Sequence, residues 1–64
     1  MKKIFDRNGH LIGIYNEQPG GAIQVFDANY TYLGRVDERG TFDRHWSLIS
    51  REKLPSLLLV QAQQ

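Results

Sequence analysis

The fold is decided by the stretch Phe5-Asp6-Arg7-Asn8-Gly9-His10-Leu11-Ile12-Gly13. An apolar, strand-prone start runs into Asp6, whose carboxylate can accept hydrogen bonds from the backbone ahead of it. Gly9 supplies the positive φ that a type I turn followed by a bulge requires. A second apolar segment follows the glycine, so the stretch predicts a β-hairpin.

Two further copies of this unit follow along the chain. They are Phe26-Asp27-Ala28-Asn29-Tyr30-Thr31-Tyr32-Leu33-Gly34 and Phe42-Asp43-Arg44-His45-Trp46-Ser47-Leu48-Ile49-Ser50. Phe and Asp open every copy, and every copy ends with Ile or Leu followed by Gly or Ser. Tyr30 and Trp46 stand where the first copy has its turn glycine, so we expect these two turns to be built differently. A fourth, degenerate unit would have to lie across residues 14–25 or come from a partner chain.

The connectors between the copies complete the fold prediction. Asp37-Glu38-Arg39-Gly40 has the Asp-x-x-Gly frame of the first turn, and Glu17-Gln18-Pro19-Gly20-Gly21 has a proline and two glycines that can reverse the chain. Together the turns predict strands near residues 2–6, 10–16, 22–26, 30–36, 41–43 and 46–50. The predicted fold is all-β, an up-and-down meander of about six short strands in repeated hairpins, curled or barrel- or flower-like. Because apolar residues fall on both sides of the strand alternation, we expect both sheet faces to be partly covered, by curling or by a second copy.

The pattern changes in the C-terminal segment. Pro55 removes a backbone donor and biases Leu54 away from helical geometry, so we expect a break near residues 54–56. Ser56 can cap a short helix over Leu57–Ala62, or the same residues can form one more strand. A short helix or tail docked on a neighbouring surface is the favoured interpretation.

The length of the chain allows a single domain. Its 64 residues bury a smaller share of their surface than a larger domain does, so the core is marginal. We predict a hairpin-repeat β unit over residues 1–50, with residues 51–64 as the C-terminal apolar tail or short helix of the same domain. The chain has no cysteine, which excludes disulfides and leaves oligomerisation as a usual route to extra stability. We therefore expect a homo-oligomer.

The net charge and the lengths of the apolar runs limit the kinds of partner that we expect. Eight Lys and Arg stand against seven Asp and Glu, giving a net charge of +1 with both signs interspersed, whereas a dedicated nucleic-acid binder tends to carry a clear basic excess. The charged start of the chain lacks the apolar run of an export signal. The longest apolar stretch, Leu57–Val60, is far shorter than the roughly 20 residues that span a bilayer. We expect a cytoplasmic protein without a membrane partner.

The Phe-Asp-x-Asn-Gly-x-x-Ile-Gly frame of the first copy resembles the Tyr-Asp-x-x-Gly hairpin units of bacterial YD-repeat proteins. It resembles more closely the small bacterial and phage proteins described as four-fold β-flowers, which are made of aromatic-Asp-x-x-Gly hairpins. The resemblance covers residues 4–50 and implies a radial or barrel-like array of hairpins, with no established activity. Tyr30 and Trp46 depart from the pattern, because glycine is expected at both positions.

The residues give little support for a catalytic or metal-binding site. His10 and His45 could combine with Asp6, Asp27 or Asp43 into a metal site or an acid–base pair. Each aspartate, however, already opens a turn, and neither histidine has a second ligand at metal-like spacing such as His-x-x-x-His. We predict no catalytic, metal-ligating or cofactor-binding residue and no cofactor, and the sequence offers no argument for an enzyme.

The aromatic residues carry the partner prediction. Phe5, Phe26 and Phe42 hold equivalent repeat positions and are expected to pack in the core or across strands. Tyr30 and Trp46 hold hairpin tips instead, where a large aromatic is either folded back over the sheet or exposed for a partner. The predicted partner-binding residues are Tyr30, Tyr32, Trp46, Arg35 and Arg44. Tyr, Trp and Arg dominate the binding energy of protein–protein contacts, and the same set could stack nucleobases.

The apolar tail is the predicted self-association segment, formed by Leu54, Leu57, Leu58, Leu59 and Val60. It either caps the open end of its own sheet or docks on another subunit, and unpaired strand edges are a second route to association. The predicted function is a non-enzymatic small interaction or structural module that self-associates, with a protein partner as a further expectation. The alternative is a small nucleic-acid-binding β barrel using Tyr, Trp and Arg side chains, against which the near-neutral charge counts.

Overall fold

The computed structural model describes residues 1–62 and contains six strands and one helix. The elements are β1 (Lys2–Phe5), β2 (Leu11–Glu17), β3 (Ile23–Phe26), β4 (Tyr32–Asp37), β5 (Gly40–Asp43), β6 (Leu48–Ser50) and α1 (Pro55–Ala62). Each strand pairs antiparallel with the next, in the order β1-β2-β3-β4-β5-β6. The predicted six-stranded meander with a short C-terminal helix is confirmed. The sheet does not close, since β1 and β6 lie at its two opposite edges and do not pair with each other, so the barrel-like form of the prediction was wrong. Residues 63–64 of the predicted tail segment lie outside the described residues.

The turns that follow β1, β3 and β5 share one hydrogen-bond frame, and we call them the Asp turns. In the first, Asp6 Oδ1 accepts the N–H groups of Asn8 and His10, each at 2.9 Å, and Gly9 N–H donates to the Asp6 carbonyl oxygen at 3.0 Å. Asp27 and Asp43 make the equivalent bonds in the other two turns. Because the chain runs up and down the sheet, all three Asp turns lie at the same end.

Tyr30 and Trp46 adopt the left-handed conformation that Gly9 adopts in the first turn. Both have a φ of 65°, against 82° for Gly9. The expectation that their turns are built differently was therefore wrong. A left-handed conformation costs a side-chain-bearing residue roughly 1–2 kcal/mol. The hydrogen bonds to the aspartate carboxylate and between backbone groups around each tip keep the tip residue in this conformation despite its energetic cost.

A β-bulge follows each Asp turn. In the first hairpin Ile4 pairs with Gly13 and Phe5 with Leu11, which leaves Ile12 as the extra residue. The same shift occurs in the other two hairpins, with Leu33 and Ile49 as the extra residues. All three of these side chains pack against the core. The Ile or Leu of each repeat is therefore the bulge residue, and the bulge aims it at the core.

Helix α1 covers one face of the sheet and supplies half of its core cluster. Val25 and Val36 of the sheet and Leu58 and Leu59 of the helix form this buried cluster. The helix begins at Pro55, a position where the missing N–H is not needed. The predicted break thus falls at Leu54, whose carbonyl oxygen accepts the N–H of Leu57, and Ser56 lies in the first turn of the helix and does not precede it as a cap. No helix within residues 1–62 is long and apolar enough to cross a membrane.

The segment that leads from β6 to α1 is tied to the sheet by Thr41. Its side chain is fully buried, with 0% exposure. Thr41 Oγ1 donates to the carbonyl oxygen of Glu52 at 2.7 Å and accepts the N–H of Leu54 at 2.9 Å. Both hydrogen-bonding capacities of this buried hydroxyl are thus used to place the chain just before the helix starts.

The opposite face of the sheet has no helix on it, and we call it the helix-free face. Strand alternation and the observed register place twelve strand residues there: Lys3, Phe5, Leu11, Ile14, Asn16, Gln24, Phe26, Tyr32, Arg35, Asp37, Phe42 and Leu48. Ile14 and Phe42 are buried by their neighbours on this face, at 0% and 8% exposure, while Phe5 and Leu48 are exposed. The helix therefore covers one face, and no element of residues 1–62 covers the other. Covering of that face by a second copy stays a prediction.

Candidate interaction surface

The phenylalanines of the three repeats all lie on the helix-free face. Each directly precedes a turn aspartate, so strand alternation sends the phenylalanine to the side opposite the aspartate. Phe42 is buried, and Phe26 is half-buried with its ring packed edge-on against Tyr32 at a centroid distance of 5.8 Å. Phe5, on the edge strand β1, stays 54% exposed. The predicted packing role thus suits Phe42 and Phe26, whereas Phe5 belongs to the surface.

Trp46 folds back from its hairpin tip onto the same face. Its ring lies 5.1 Å from the guanidinium carbon of Arg35 and 6.4 Å from the centroid of the Phe42 ring. The first distance is within the range of a cation–π interaction. Trp46 nevertheless remains 57% exposed. It is therefore both held by the sheet and presented to solvent.

The charged residues of this face meet at Asp37, near the β4–β5 turn. Asp37 Oδ2 lies 3.0 Å from Arg39 Nη2 and 3.6 Å from Arg35 Nη2. The hydrogen bond from the Arg39 side chain, with that from the Arg39 N–H, lowers the pKa of Asp37. The same ion pair raises the pKa of Arg39, whose guanidinium also lies 5.0 Å from the Phe42 ring. These groups therefore hold fixed charges at neutral pH.

Two further titratable groups have perturbed pKa values, and neither is poised for proton transfer at neutral pH. The N–H of Ser47, followed by that of His45, lowers the pKa of Asp43. Burial raises the pKa of Tyr15. Both shifts reinforce the charge state that each group already has near neutrality, ionised for the aspartate and neutral for the tyrosine.

The histidines lie on exposed Asp turns. His10 Nδ1 is 3.7 Å from Asp6 Oδ2, and His45 Nε2 accepts a long hydrogen bond of 3.3 Å from Arg44 Nε. Within residues 1–62, no three His, Cys, Asp or Glu side chains come together in an arrangement that could hold a metal ion.

The structure brings together three of the five predicted partner-binding residues. Tyr32, Arg35 and Trp46 share the helix-free face. Tyr30 is 57% exposed at the tip of the second Asp turn, at the same end of the sheet as Trp46. Arg44 lies apart, because it lines a cleft of about 460 Å³ with Leu58 on the helix side.

The predicted self-association residues divide into a buried and an exposed group. Leu58 and Leu59 pack on the chain's own sheet, at 3% and 4% exposure, and are not on the surface. Leu57 is half-buried, whereas Leu54 and Val60 are exposed. A subunit contact through the tail could therefore use only the exposed members, and that role stays a prediction.

Sequence reasoning missed Phe5 and Leu48 as surface residues. They hold equivalent apolar positions at the two edges of the sheet, and Phe5 pairs with Leu11 as Phe42 pairs with Leu48. The usable signal was the placement of Phe immediately before the turn Asp. Once the bulge residue, Ile or Leu, is assigned to the core face, the residue just before it in the strand must point to the opposite face. The phenylalanine that pairs with that preceding residue points to the same face.

No family model matches this chain, and neither curated proteins nor solved structures give a significant match.

Proposed function

We propose that this protein is a small non-enzymatic interaction module that self-associates by packing its helix-free face against the same face of a second copy. The observation that carries the proposal is the exposure of Phe5, Trp46 and Leu48, at 54%, 57% and 48%, on a sheet face that no element of residues 1–62 covers. Half-buried Phe26 and Tyr32 connect them across the sheet. Contiguous exposed apolar surface of this kind is typical of binding sites.

The dimensions of the face suit a second copy. The molecule measures 32 × 27 × 18 Å. A standard interface takes roughly 800 Å² from each partner, which a face of this size can supply. Its self-complementary use would give a two-fold symmetric dimer.

The monomer also has a reason to associate. Its buried hydrophobic residues are Ile14, Val25, Val36, Phe42, Leu58 and Leu59. So small a core gives limited stability in a chain without disulfides, and burial of the second face would add to it. Lys3 on the edge strand β1 and Arg39 with Asp37 at the β4–β5 turn lie toward the rim of the face, where interfaces usually carry their charges. Arg35 lies within the face, with its guanidinium over the Trp46 ring.

The strand edges favour the face as the contact. β1 has four residues, two of them Lys2 and Lys3, and β6 has three. Short edge strands and edge lysines oppose strand-to-strand pairing.

Analytical ultracentrifugation at micromolar concentration tests the proposal. We expect the wild-type chain to be a dimer and Leu48→Glu to be a folded monomer, because the contact would bury the new carboxylate against apolar side chains. Val60→Glu is the matched control, since Val60 is similarly exposed but lies on α1, and it should remain a dimer. A monomeric wild type would refute self-association. If Val60→Glu dissociates the dimer and Leu48→Glu does not, the contact is formed by the C-terminal tail and not by the helix-free face.

Nucleic-acid binding is the second candidate, favoured by one specific arrangement. The helix-free face carries Trp46 and Tyr32, with the guanidinium of Arg35 over the Trp46 ring and that of Arg39 over the Phe42 ring, a combination that can stack bases and attract phosphates. Mobility shifts with single-stranded probes over a salt series would support it if binding is saturable and weakens as salt rises. Under either candidate the cytoplasm remains the expected compartment, and kinship with the β-flower proteins remains a proposal from the hairpin motif.

A further inference from the structure

Of the three Asp turns, only the first contains an asparagine followed by a glycine. The residues after the aspartate are Arg7-Asn8-Gly9 in the first turn, Ala28-Asn29-Tyr30 in the second and Arg44-His45-Trp46 in the third. Asn8 and Gly9 are both exposed. The backbone nitrogen of a glycine can attack the side-chain carbonyl carbon of the preceding asparagine with little hindrance, because glycine has no Cβ. The first turn therefore presents a chemically reactive pair at the surface.

The reaction of this pair converts the asparagine side chain into a cyclic imide. The Gly9 nitrogen forms a bond to Asn8 Cγ, the bond from Cγ to Nδ2 breaks, and ammonia leaves with the proton of the Gly9 N–H. Water then opens the imide at one of its two carbonyl groups. The product is either aspartate or isoaspartate, in which the main chain runs through Cβ and Cγ. Water is the only other reactant.

The folded turn uses the same N–H group that this reaction consumes. Gly9 N–H donates to the Asp6 carbonyl oxygen at 3.0 Å, and the nitrogen of the imide has no hydrogen to donate. Asp6 Oδ1 accepts the N–H groups of Asn8 and His10, each at 2.9 Å. These three hydrogen bonds hold the backbone on both sides of the reactive peptide group. Formation of the imide therefore requires the turn to open.

We propose that Asn8 is a self-modification site that Asp6 keeps unreactive in the folded chain. The attack takes place in the open form of the turn, so its rate follows the fraction of molecules in which the turn is open. Asp6 lowers that fraction, because the bonds from backbone N–H groups to its carboxylate are charge-assisted and stronger than bonds between neutral groups. The site goes beyond the proposed function and does not depend on it.

The second Asp turn provides a comparison within the same chain. Asp27 Oδ1 accepts the N–H groups of Asn29 and Thr31 at 2.8 and 2.9 Å, and Tyr30 N–H donates to the Asp27 carbonyl oxygen at 3.1 Å. The hydrogen-bond frame is thus the same, but the residue after the asparagine carries a side chain that hinders the attack. Asn29 should stay unmodified over the time in which Asn8 reacts, even when its turn opens.

Modification of Asn8 affects the edge of the sheet. β1 pairs only with β2, and the first Asp turn joins these two strands. Isoaspartate lengthens the main chain between Asp6 and Gly9 by one carbon atom, so the native bond from the Gly9 N–H to the Asp6 carbonyl oxygen is not preserved. The isoaspartate form should therefore melt at a lower temperature than the intact chain.

Mass spectrometry of the protein during incubation near neutral pH measures the reaction, and peptide mapping assigns it to Asn8. The reference is a synthetic peptide of residues 5–13, since an isolated hairpin is at best marginally stable. We expect the folded wild type to react at least about tenfold more slowly than the peptide, because the bonds to the carboxylate must break first. Equal rates in the protein and the peptide would overturn the proposal.

Substitution of the turn aspartates provides the matched variants. Asp6→Ala removes the acceptor and should accelerate the modification of Asn8 toward the peptide rate. Asp27→Ala is the control, because it removes the same bonds from the second turn and leaves the first intact, so Asn8 should remain slow. Equal acceleration in both variants would show that overall unfolding controls the reaction, and no acceleration in Asp6→Ala would show that Asp6 does not protect Asn8. Either result would overturn the proposal.

Two further variants separate protection from a general loss of structure. Asp6→Asn keeps an acceptor oxygen and loses the charge, so Asn8 should react at a rate between those of the wild type and Asp6→Ala. This variant decides the matter if Asp6→Ala does not fold, and a rate equal to that of the wild type would refute protection by the carboxylate. Gly9→Tyr gives the first turn the tip residue of the second turn and should suppress the reaction in the Asp6→Ala background. Continued reaction at Asn8 in that double variant would contradict attack by the nitrogen of residue 9.

Discussion

Leu59 of α1 lies directly over Gly13 of β2, so closely that a Cβ on Gly13 would overlap the leucine side chain. Leu58 stands in a similar relation to Gly34 of β4, where a Cβ would approach Leu58 Cδ2 to 2.9 Å. These are the glycines that end the first two repeats. They create the depressions in the sheet into which the helix packs.

Gly13→Ala should destabilise the protein by about 1–3 kcal/mol, since the added methyl overpacks the contact with Leu59. Urea denaturation measures the change. Leu59→Ala alone should cost about 2–5 kcal/mol through the cavity it creates. In the double variant the added methyl has room, so the alanine at position 13 should cost much less than it does in the wild type. Strict additivity of the two effects would contradict the packing described here.

Tyr30→Gly should raise the free energy of unfolding by about 1 kcal/mol, because glycine adopts the left-handed conformation without the strain that Tyr30 bears. Trp46→Gly should gain less or lose stability, since it also removes the contacts with Arg35 and Phe42. Chemical denaturation of the two variants side by side checks the difference. A larger gain at Trp46 would show that its contacts stabilise nothing.

Thr41→Val should destabilise the protein by about 1–3 kcal/mol, because it leaves the Leu54 N–H and the Glu52 carbonyl oxygen without their partner while preserving the side-chain shape. Thr41→Ser is the control that keeps the hydroxyl and removes only a methyl group. Thermal unfolding should rank wild type above Thr41→Ser and Thr41→Ser above Thr41→Val. The reverse order of the two variants would mean that the methyl group, and not the hydrogen bonds, anchors the segment.

Acid should destabilise the wild type more steeply than Asp43→Asn. The pKa of Asp43 is lowered in the folded chain by the N–H groups of Ser47 and His45. Its stabilising effect is therefore fully present above the ordinary aspartate pKa of about 4 and is lost as pH falls through the lower folded value. Asn keeps the acceptor oxygen and does not titrate. Melting temperatures measured from about pH 6 to about pH 2 should fall less for the variant, whereas parallel curves would exclude a contribution from Asp43.

Local turn chemistry accounts for what could be predicted. Asp6, Asp27 and Asp43 act on backbone groups at most four residues ahead, so the hairpins and the strand order follow from short-range sequence. The break before α1 was predictable for the same reason, since Pro55 restricts its own neighbourhood.

The identity of the residue at the turn tip was misleading. Glycine at the first tip suggested that Tyr30 and Trp46 require another turn, whereas the surrounding hydrogen bonds impose the same φ on all three. The hydrogen bonds around the tip overrode the conformational preference of the tip residue, and the residue types of a turn do not by themselves reveal such bonds. The candidate surface was predicted in part, since Tyr32, Arg35 and Trp46 meet on it while Arg44 does not.

The sequence by itself determined the hairpins, the six-stranded meander and a break before the C-terminal segment, because each depends on interactions between residues close along the chain. Only the tertiary structure decided which face α1 covers. That choice requires Leu58 and Leu59 to meet Gly34 and Gly13, glycines contributed by different strands. It also decided that the repeat phenylalanines lie on the uncovered face, because only the packing of α1 settles which side of the sheet is covered. The bulge after each turn then aims the Ile or Leu of the same repeat at the covered side.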